Sequence, residues 1–136
     1  MKLLTRGLLA LWGLFFATLA MRGAIHPTVW TGLFSIMPAS NGVNTLRADF
    51  SAFFLVAAIP PLLVAAYPRF ATILMVPIGL FGIALLFRIL GLAMGDTADD
   101  AVHQALIIEA LTVMFMLGAR HVLRDDDGTA PLDNPS

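Results

Sequence analysis

The chain has 136 residues, a formal net charge of −1 and no cysteine, and 59% of its residues are hydrophobic whereas only 12% are charged. The lack of a basic surplus argues against nucleic-acid binding, and the absence of cysteine excludes disulfides, thiol catalysis and iron–sulfur ligation. So few charged residues cannot cover a water-soluble core of this size. Because four long apolar stretches follow one another, we predict an all-α membrane protein, a four-transmembrane-helix bundle formed as a single domain by residues 1–124.

The first predicted span covers residues 3–21. Its uncharged part, between Arg6 and Arg22, has 15 residues, or roughly 22 Å of helix, but both arginines can extend their head groups towards water. The competing interpretation is a cleaved signal peptide, with Lys2 and Arg6 ahead of the apolar run and small residues at 17–20. Because three more spans follow instead of a soluble domain, we favour an uncleaved anchor.

The segment between the first and second spans, residues 23–44, is interrupted by prolines and glycines. Within it, apolar residues recur at helical spacing and predict a short amphipathic helix: Val29, Trp30, Leu33, Phe34 and Met37. Trp30 is of the type found at a membrane–water interface. We predict a short loop helix on the extracytoplasmic surface and not a fifth span.

The second predicted span, residues 45–67, contains Pro60-Pro61 near its middle. Since proline lacks an N–H, we expect a kink there. The tight turn Tyr67-Pro68-Arg69 then makes spans two and three an antiparallel hairpin.

The third predicted span covers residues 70–95 and has a further kink candidate at Pro77. A polar, helix-capping loop at 95–100 leads into the fourth span, residues 101–123. The acidic tail, 125–136, lacks apolar periodicity and is predicted to be a disordered cytoplasmic segment. The phenylalanines and methionines of the spans are expected to face lipid or to pack between helices.

Positive charges predict the orientation of the bundle. With four spans, one side of the membrane carries five basic residues and the other carries Arg22 and Arg47; the five are Lys2, Arg6, Arg69, Arg120 and Arg124. We therefore predict a multi-pass protein of the bacterial cytoplasmic membrane with both termini inside and the loop helix outside.

Three spans carry an ionisable residue at membrane depth: Asp49, Arg88 and Glu109. Arg88 lies seven residues before Gly95 and Glu109 lies eight after Ala101, so each is roughly 10–12 Å below the same end of its helix. An unpaired charge at that depth is costly, and we predict an Arg88–Glu109 ion pair. Asp49 is slightly shallower and is expected to contact Arg88 or to hydrogen-bond Glu109.

The helix faces that carry the predicted pair contain small residues. Arg88 shares its face with Gly91 and Gly95, which would let a neighbouring helix approach. Arg47 lies two residues from Asp49 and therefore points to another side, where its head group can extend outward.

The charged layer has two interpretations. In the first, the pair only holds two helices in register. In the second, these residues line a pocket for a small lipophilic molecule. The candidate ligand-binding residues are then Arg47, Asp49, Arg88 and Glu109.

No catalytic residues, cofactor or metal site are predicted. Phosphate-binding loops and the common hydrolase and zinc motifs do not occur in the sequence. The three histidines, His26, His103 and His121, are far apart and have no metal-ligand spacing. A haem held by His26 and His103 is the weakest alternative.

Three parts of the chain together resemble a bacterial membrane family known as domain of unknown function 4345. They are the run from Asn44 to Phe50 that opens span two, the run Arg88-Ile89-Leu90-Gly91 with the Gly95-Asp96 turn, and Glu109. The resemblance extends up to Arg124. It implies a four-helix integral membrane protein and no established activity. Glycines usually follow the arginine–alanine–x–aromatic run in that family, whereas Ser51-Ala52 stand here. More distantly, the layout is similar to that of the DoxX-like proteins, some of which are subunits of quinone-linked oxidoreductases.

Two functions follow as hypotheses. The chain is a non-catalytic helix bundle or an accessory subunit of a larger membrane complex, or it binds or transports a small lipophilic molecule in an outer-leaflet pocket. The expected partners are the lipid bilayer, a membrane protein or a second copy of the chain, and a lipophilic small molecule. An enzyme acting on lipid-soluble substrates is a poor third.

The orientation can be tested with single cysteines, because the chain has none of its own. We expect a membrane-impermeant thiol reagent to label Ser40→Cys in intact cells and to label Thr129→Cys only after the cells are opened. The reverse pattern would show that the predicted orientation is inverted.

Overall fold

The computed structural model describes residues 1–34, 36 and 42–124 of the chain. The helical elements in this part are α1 (Lys2–Ile25), α2 (Thr28–Phe34), α3 (Val43–Ala66), a 3₁₀ segment (Pro68–Leu74), α4 (Met75–Ala93) and α5 (Asp100–Arg124). Four helical stretches are long and apolar enough to cross a membrane: α1, α3, Pro68–Ala93 and α5. The predicted all-α four-helix bundle is therefore confirmed. The predicted tail and the positions Met37, Ser40 and Thr129 lie outside the described residues.

The first span is longer than its sequence pattern suggested. Helix α1 has 24 residues and ends at Ile25 instead of at residue 21, so its length is about 36 Å and exceeds a hydrocarbon core of about 30 Å. Arg22 lies in its last turn, where a cation interacts favourably with the helix dipole. The Arg22 side chain is exposed, and the helix continues past it for three more residues to Ile25.

The prolines of the second and third spans occupy different positions in their helices. Helix α3 includes both Pro60 and Pro61 and continues to Ala66. Pro77 is the third residue of α4, which follows the 3₁₀ segment without a gap. The departure from helical backbone comes earlier, at Phe70 (φ −92°, ψ 19°). The kink predicted at Pro77 stays a prediction.

The bundle consists of two helix pairs. Helix α1 packs most extensively against α3, and α4 packs most extensively against α5. Helices α1 and α3 meet closely at Gly13, where a Cβ would lie 2.6 Å from Leu62 Cγ and 3.0 Å from the Ala58 carbonyl oxygen. Near the start of α1, Arg6 Nε donates to the Ala65 carbonyl oxygen over 2.8 Å. This bond satisfies a carbonyl group at the end of α3.

The two ends of the bundle are packed differently. We call the end with the start of α1 and the 3₁₀ segment the terminal end, and the end with α2 and the 94–99 loop the loop end. All four spans, the third including its 3₁₀ segment, contribute to a buried cluster at the terminal end: Leu9, Val64, Ala71, Leu74, Ile78, Met116, Ala119 and Leu123. The cluster nearer the loop end takes its buried members from α1 to α4: Phe16, Ala20, Trp30, Phe54, Ala57, Ala58 and Phe81. Helix α5 therefore joins the core more fully at the terminal end.

The predicted loop helix forms, but Trp30 does not lie at a surface. Its side chain is fully buried, and its ring stacks on Phe54 with centroids 5.1 Å apart and planes 7° apart. The indole also lies directly over Gly23, where any side chain would overlap it. The surface exposure expected for Trp30 is therefore wrong, because the missing Cβ at Gly23 lets α2 fold in against the bundle.

The loop between α4 and α5 is capped at both ends, as predicted. Gly95 has a positive φ of 101°, and the Asp96 N–H donates to the Gly91 carbonyl oxygen over 3.0 Å, which together end α4 in a Schellman motif. Asp99 Oδ1 accepts a bond of 2.9 Å from the Val102 N–H at the start of α5. At Gly91 a Cβ would lie 2.5 Å from Asp96 Oδ2. Gly91 therefore makes its closest contact with the loop, at Asp96, and not with the neighbouring helix that was predicted to approach there.

The packing of α2 against the bundle can be tested with two glycines of helix α1, Gly7 and Gly23. A methyl group at Gly23 would overlap the Trp30 indole, whereas a Cβ at Gly7 meets nothing within 4 Å. We expect Gly23→Ala to destabilise the protein by about 1–3 kcal/mol through overpacking and Gly7→Ala to be neutral or stabilising by up to about 1 kcal/mol. Thermal unfolding in detergent, followed by circular dichroism, measures both. Equal effects of the two substitutions would contradict the packing of Trp30 on Gly23.

Candidate functional site

Arg88 and Glu109 form the ion pair that their matching depth predicts. Arg88 Nη2 lies 2.9 Å from Glu109 Oε1, and Arg88 Nε lies 3.2 Å from Oε2 and 3.3 Å from Oε1. Both carboxylate oxygens therefore accept hydrogen bonds from the same guanidinium, a geometry that lysine cannot reproduce. Only 6% of Glu109 is exposed, so its charge depends on this one partner.

The ion pair with Glu109 does not use all the hydrogen-bond donors of Arg88. Its side chain is 28% exposed, and its bonds to Glu109 use Nε and Nη2. Nη1 donates no hydrogen bond within the described part of the chain. Arg88 can therefore hold Glu109 and still offer two N–H donors to another group.

A cavity of about 520 Å³ lies beside the pair. Its walls come from all five α-helices and are made of Phe15, Phe16, Leu19, Leu33, Phe34, Asp49, Phe50, Phe53, Phe54, Phe81, Ala84, Arg88, Ala105, Ile108 and Glu109. The polar members are the three ionisable residues that the sequence placed at membrane depth. The structure therefore brings Asp49, Arg88 and Glu109 to one cavity between the two helix pairs.

The rest of the wall is mainly aromatic. Seven of the ten phenylalanines line the cavity, and their rings contact one another across helices. Phe16 of α1 stacks on Phe54 of α3 at 5.6 Å between centroids, and Phe53 of α3 meets Phe81 of α4 edge-on at 5.5 Å. These phenylalanines were expected only to face lipid or to pack. Their recurrence at 50, 53 and 54 marked one helix face, but nothing in the sequence indicated that a space would remain in front of it.

Two alanines make room for the cavity. Ala84 lies one turn before Arg88 in α4, and Ala105 lies one turn before Glu109 in α5. Both line the cavity. Since residues four apart lie on the same helix face, these small side chains adjoin the ion pair and leave volume that larger side chains would fill.

Asp49 and Arg47 differ in their position relative to the cavity. Asp49 lines the cavity and is exposed. In the described residues it forms no hydrogen bond or ion pair, so the contact expected with Arg88 or Glu109 is not made. Arg47 is exposed and does not line the cavity. Two residues along a helix correspond to about 200° of rotation, which places Arg47 on another side and removes it from the candidate site.

A second cavity of about 260 Å³ adjoins the first towards the loop end. It is lined by Phe34, Ile36, Phe50, Arg88, Asp99, Ala101 and Val102. Phe34, Phe50 and Arg88 line both cavities, and the two rings are 4.9 Å apart between centroids. This ring pair therefore stands at the boundary between the aromatic cavity and the more polar one.

Comparisons of the chain with family models, with curated proteins and with solved structures gave no match. The resemblance to domain of unknown function 4345 stays a prediction. Among the described residues, no group of three or more histidine, aspartate or glutamate side chains is arranged to hold a metal ion.

The ion pair can be tested by removing its members singly and together. Either single substitution, Arg88→Met or Glu109→Leu, leaves a charge without its partner and should destabilise the protein by on the order of 3 kcal/mol. The double substitution replaces both charges with apolar groups and should recover most of that loss. Thermal unfolding in detergent measures the effect, and the exposed Arg22→Met serves as the control for losing an arginine. If Arg88→Met alone is as stable as the wild type, the pair does not hold α4 and α5 together.

Proposed function

We propose that this chain is an integral membrane protein that binds a small lipophilic molecule in the cavity beside the Arg88–Glu109 pair. The observation that carries the proposal is the cavity itself. It has a volume of about 520 Å³ and an aromatic wall into which three ionisable residues are set. Small-molecule sites typically occupy about 300–1,000 Å³ and combine an apolar lining with a few polar groups that orient the ligand.

The residues that line the cavity indicate the kind of molecule that fits it. Phenylalanine rings shield an apolar body from water and from lipid, and they offer ring edges and faces for contact with aromatic groups. Arg88, whose Nη1 donates no hydrogen bond among the described residues, and the acidic Asp49 belong to the same wall. An occupant with a hydrophobic body and one polar or charged end satisfies both parts of the lining.

The small residues beside the pair support a binding role over a purely structural one. A pair that served only to fix the register of α4 and α5 would be most stable with large apolar side chains packed around it, because unfilled volume in a core costs free energy. Alanine stands at 84 and 105 instead. Ionisable residues within spans are by default candidates for function when they face such a space.

The proposal places the protein in the bacterial cytoplasmic membrane with both termini inside. Support comes from the five basic residues on the terminal side against two on the other. The cavity then lies towards the outer leaflet. The resemblance to domain of unknown function 4345 implies a four-helix integral membrane protein of bacteria and says nothing about its orientation. Binding is proposed in preference to transport, because a bundle of this size without internal repeats lacks the usual alternating-access architecture.

The other hypothesis is a non-catalytic bundle or accessory subunit that packs against a larger membrane complex or a second copy. The exposed apolar faces of the spans suit a protein partner, but a lipid bilayer covers such faces equally well. The binding proposal has the more specific support, and the two hypotheses differ in what accompanies the purified protein.

The proposal is tested by filling the cavity. Ala84→Phe places a ring in the cavity, whereas Ala93→Phe, on the same helix, adds a ring at an exposed position that does not line it. The proteins are purified in a mild detergent, and mass spectrometry identifies what accompanies them. We expect a small lipophilic molecule with the wild type and Ala93→Phe and at least tenfold less with Ala84→Phe. A stoichiometric protein partner without any small molecule would contradict the proposal and favour an accessory subunit.

A further inference from the structure

The charges that line the cavity do not balance. Arg88 and Glu109 neutralise one another, whereas the Asp49 carboxylate makes no hydrogen bond or ion pair in the described part of the chain. The three ionisable side chains in the wall therefore sum to a formal charge of −1. The next cavity adds Asp99 and shares Arg88, so it brings no further positive charge.

We infer that the cavity selects a lipophilic cation, an amine or another onium group carried on an apolar or aromatic body, with Asp49 as its counter-ion. This inference rests on the proposed function and names the class of molecule that the cavity takes. A cation supplies the charge that the wall lacks. A neutral molecule would leave the formal charge of the wall unbalanced, and an anion would enter a wall that already carries two acidic residues and one arginine.

The aromatic wall favours the same class. A phenylalanine ring carries partial negative charge on its faces and attracts a cation placed over it. Phe50 follows Asp49 directly, and Phe53 lies one helical turn later on the same face. Both line the cavity with Asp49, so an acidic residue and two aromatic residues border the same space. Recognition of quaternary ammonium groups by aromatic cages rests on this chemistry.

Because Arg88 already binds Glu109, Asp49 is the carboxylate in the wall that can act as counter-ion to a bound cation. Glu109 accepts hydrogen bonds on both oxygens from Arg88, so binding a cation there would compete with a buried ion pair. Asp49 is exposed and lies six residues after the start of α3, or about 9 Å along the helix. A cation can therefore reach Asp49 without breaking the pair.

The inference is tested with two ions of the same shape and opposite charge, tetraphenylphosphonium and tetraphenylborate. Their binding to the purified protein in a neutral detergent is measured by equilibrium dialysis, with uncharged triphenylmethane as a third probe. We expect the wild type to bind tetraphenylphosphonium at least about tenfold more tightly than tetraphenylborate.

Matched variants assign the preference to Asp49. Asp49→Asn removes the charge and keeps the size, so it should weaken tetraphenylphosphonium binding about tenfold without lowering the affinity for triphenylmethane. Asp100→Asn makes the same change at an exposed position that lines neither of these cavities, and should alter each affinity by less than about twofold. Since Asp49 is exposed, we expect its variant to fold, and an unchanged unfolding temperature checks this.

The outcomes separate the two proposals. If triphenylmethane binds and Ala84→Phe abolishes its binding, the cavity is a ligand site. If tetraphenylphosphonium then shows no preference over tetraphenylborate, or Asp49→Asn leaves its affinity unchanged, cation selectivity is overturned while the proposed function stands. If none of the three probes binds the wild type better than it binds Ala84→Phe, both the cation selectivity and the proposed function are overturned.

Discussion

A guanidinium and a carboxylate at the same depth determine how α4 and α5 face one another. Neither Arg88 nor Glu109 can be left alone in an apolar surrounding, because an uncompensated charge there costs several kcal/mol. The bidentate contact of 2.9–3.3 Å restricts both the rotation and the translation of the two helices. The faces that carry Ala84 and Ala105 are thereby turned towards α1 and α3, and the space beside the pair becomes the cavity.

The bundle joins a closely packed end to an end that contains a cavity. At the terminal end, apolar side chains from every span meet in one cluster, and Arg6 binds the last carbonyl groups of α3. Towards the loop end, α2 packs its tryptophan against Gly23 and Phe54, which ties α2 to the α1–α3 pair. In this arrangement phenylalanines of α1, α2 and α3 line one side of the cavity, and the Arg88–Glu109 pair of α4 and α5 lines the other.

The same pair can serve both stability and binding. An ion pair that is complete within itself contributes no net charge to the cavity, so the selectivity that we propose rests on Asp49, which makes no hydrogen bond or ion pair among the described residues. Within the part of the chain that the structure describes, Arg88 Nη1 donates no hydrogen bond while the guanidinium holds Glu109. A scaffold role for the pair and a site role for its neighbours are therefore compatible, and separate substitutions can distinguish them.

The sequence by itself determined the number of helical spans, the capped loop before α5, the short loop helix and the pairing of Arg88 with Glu109. Each depends on local pattern or on depth along a helix, which residue spacing measures directly. Tertiary structure decided the inward position of Trp30, the capping role of Arg6, the place of Pro77 at a helix start and the cavity. These depend on which faces of non-adjacent helices meet and on volume left unfilled between them. An unfilled volume leaves no periodic signal in a single chain, because the same alanines and phenylalanines would also suit a closely packed core.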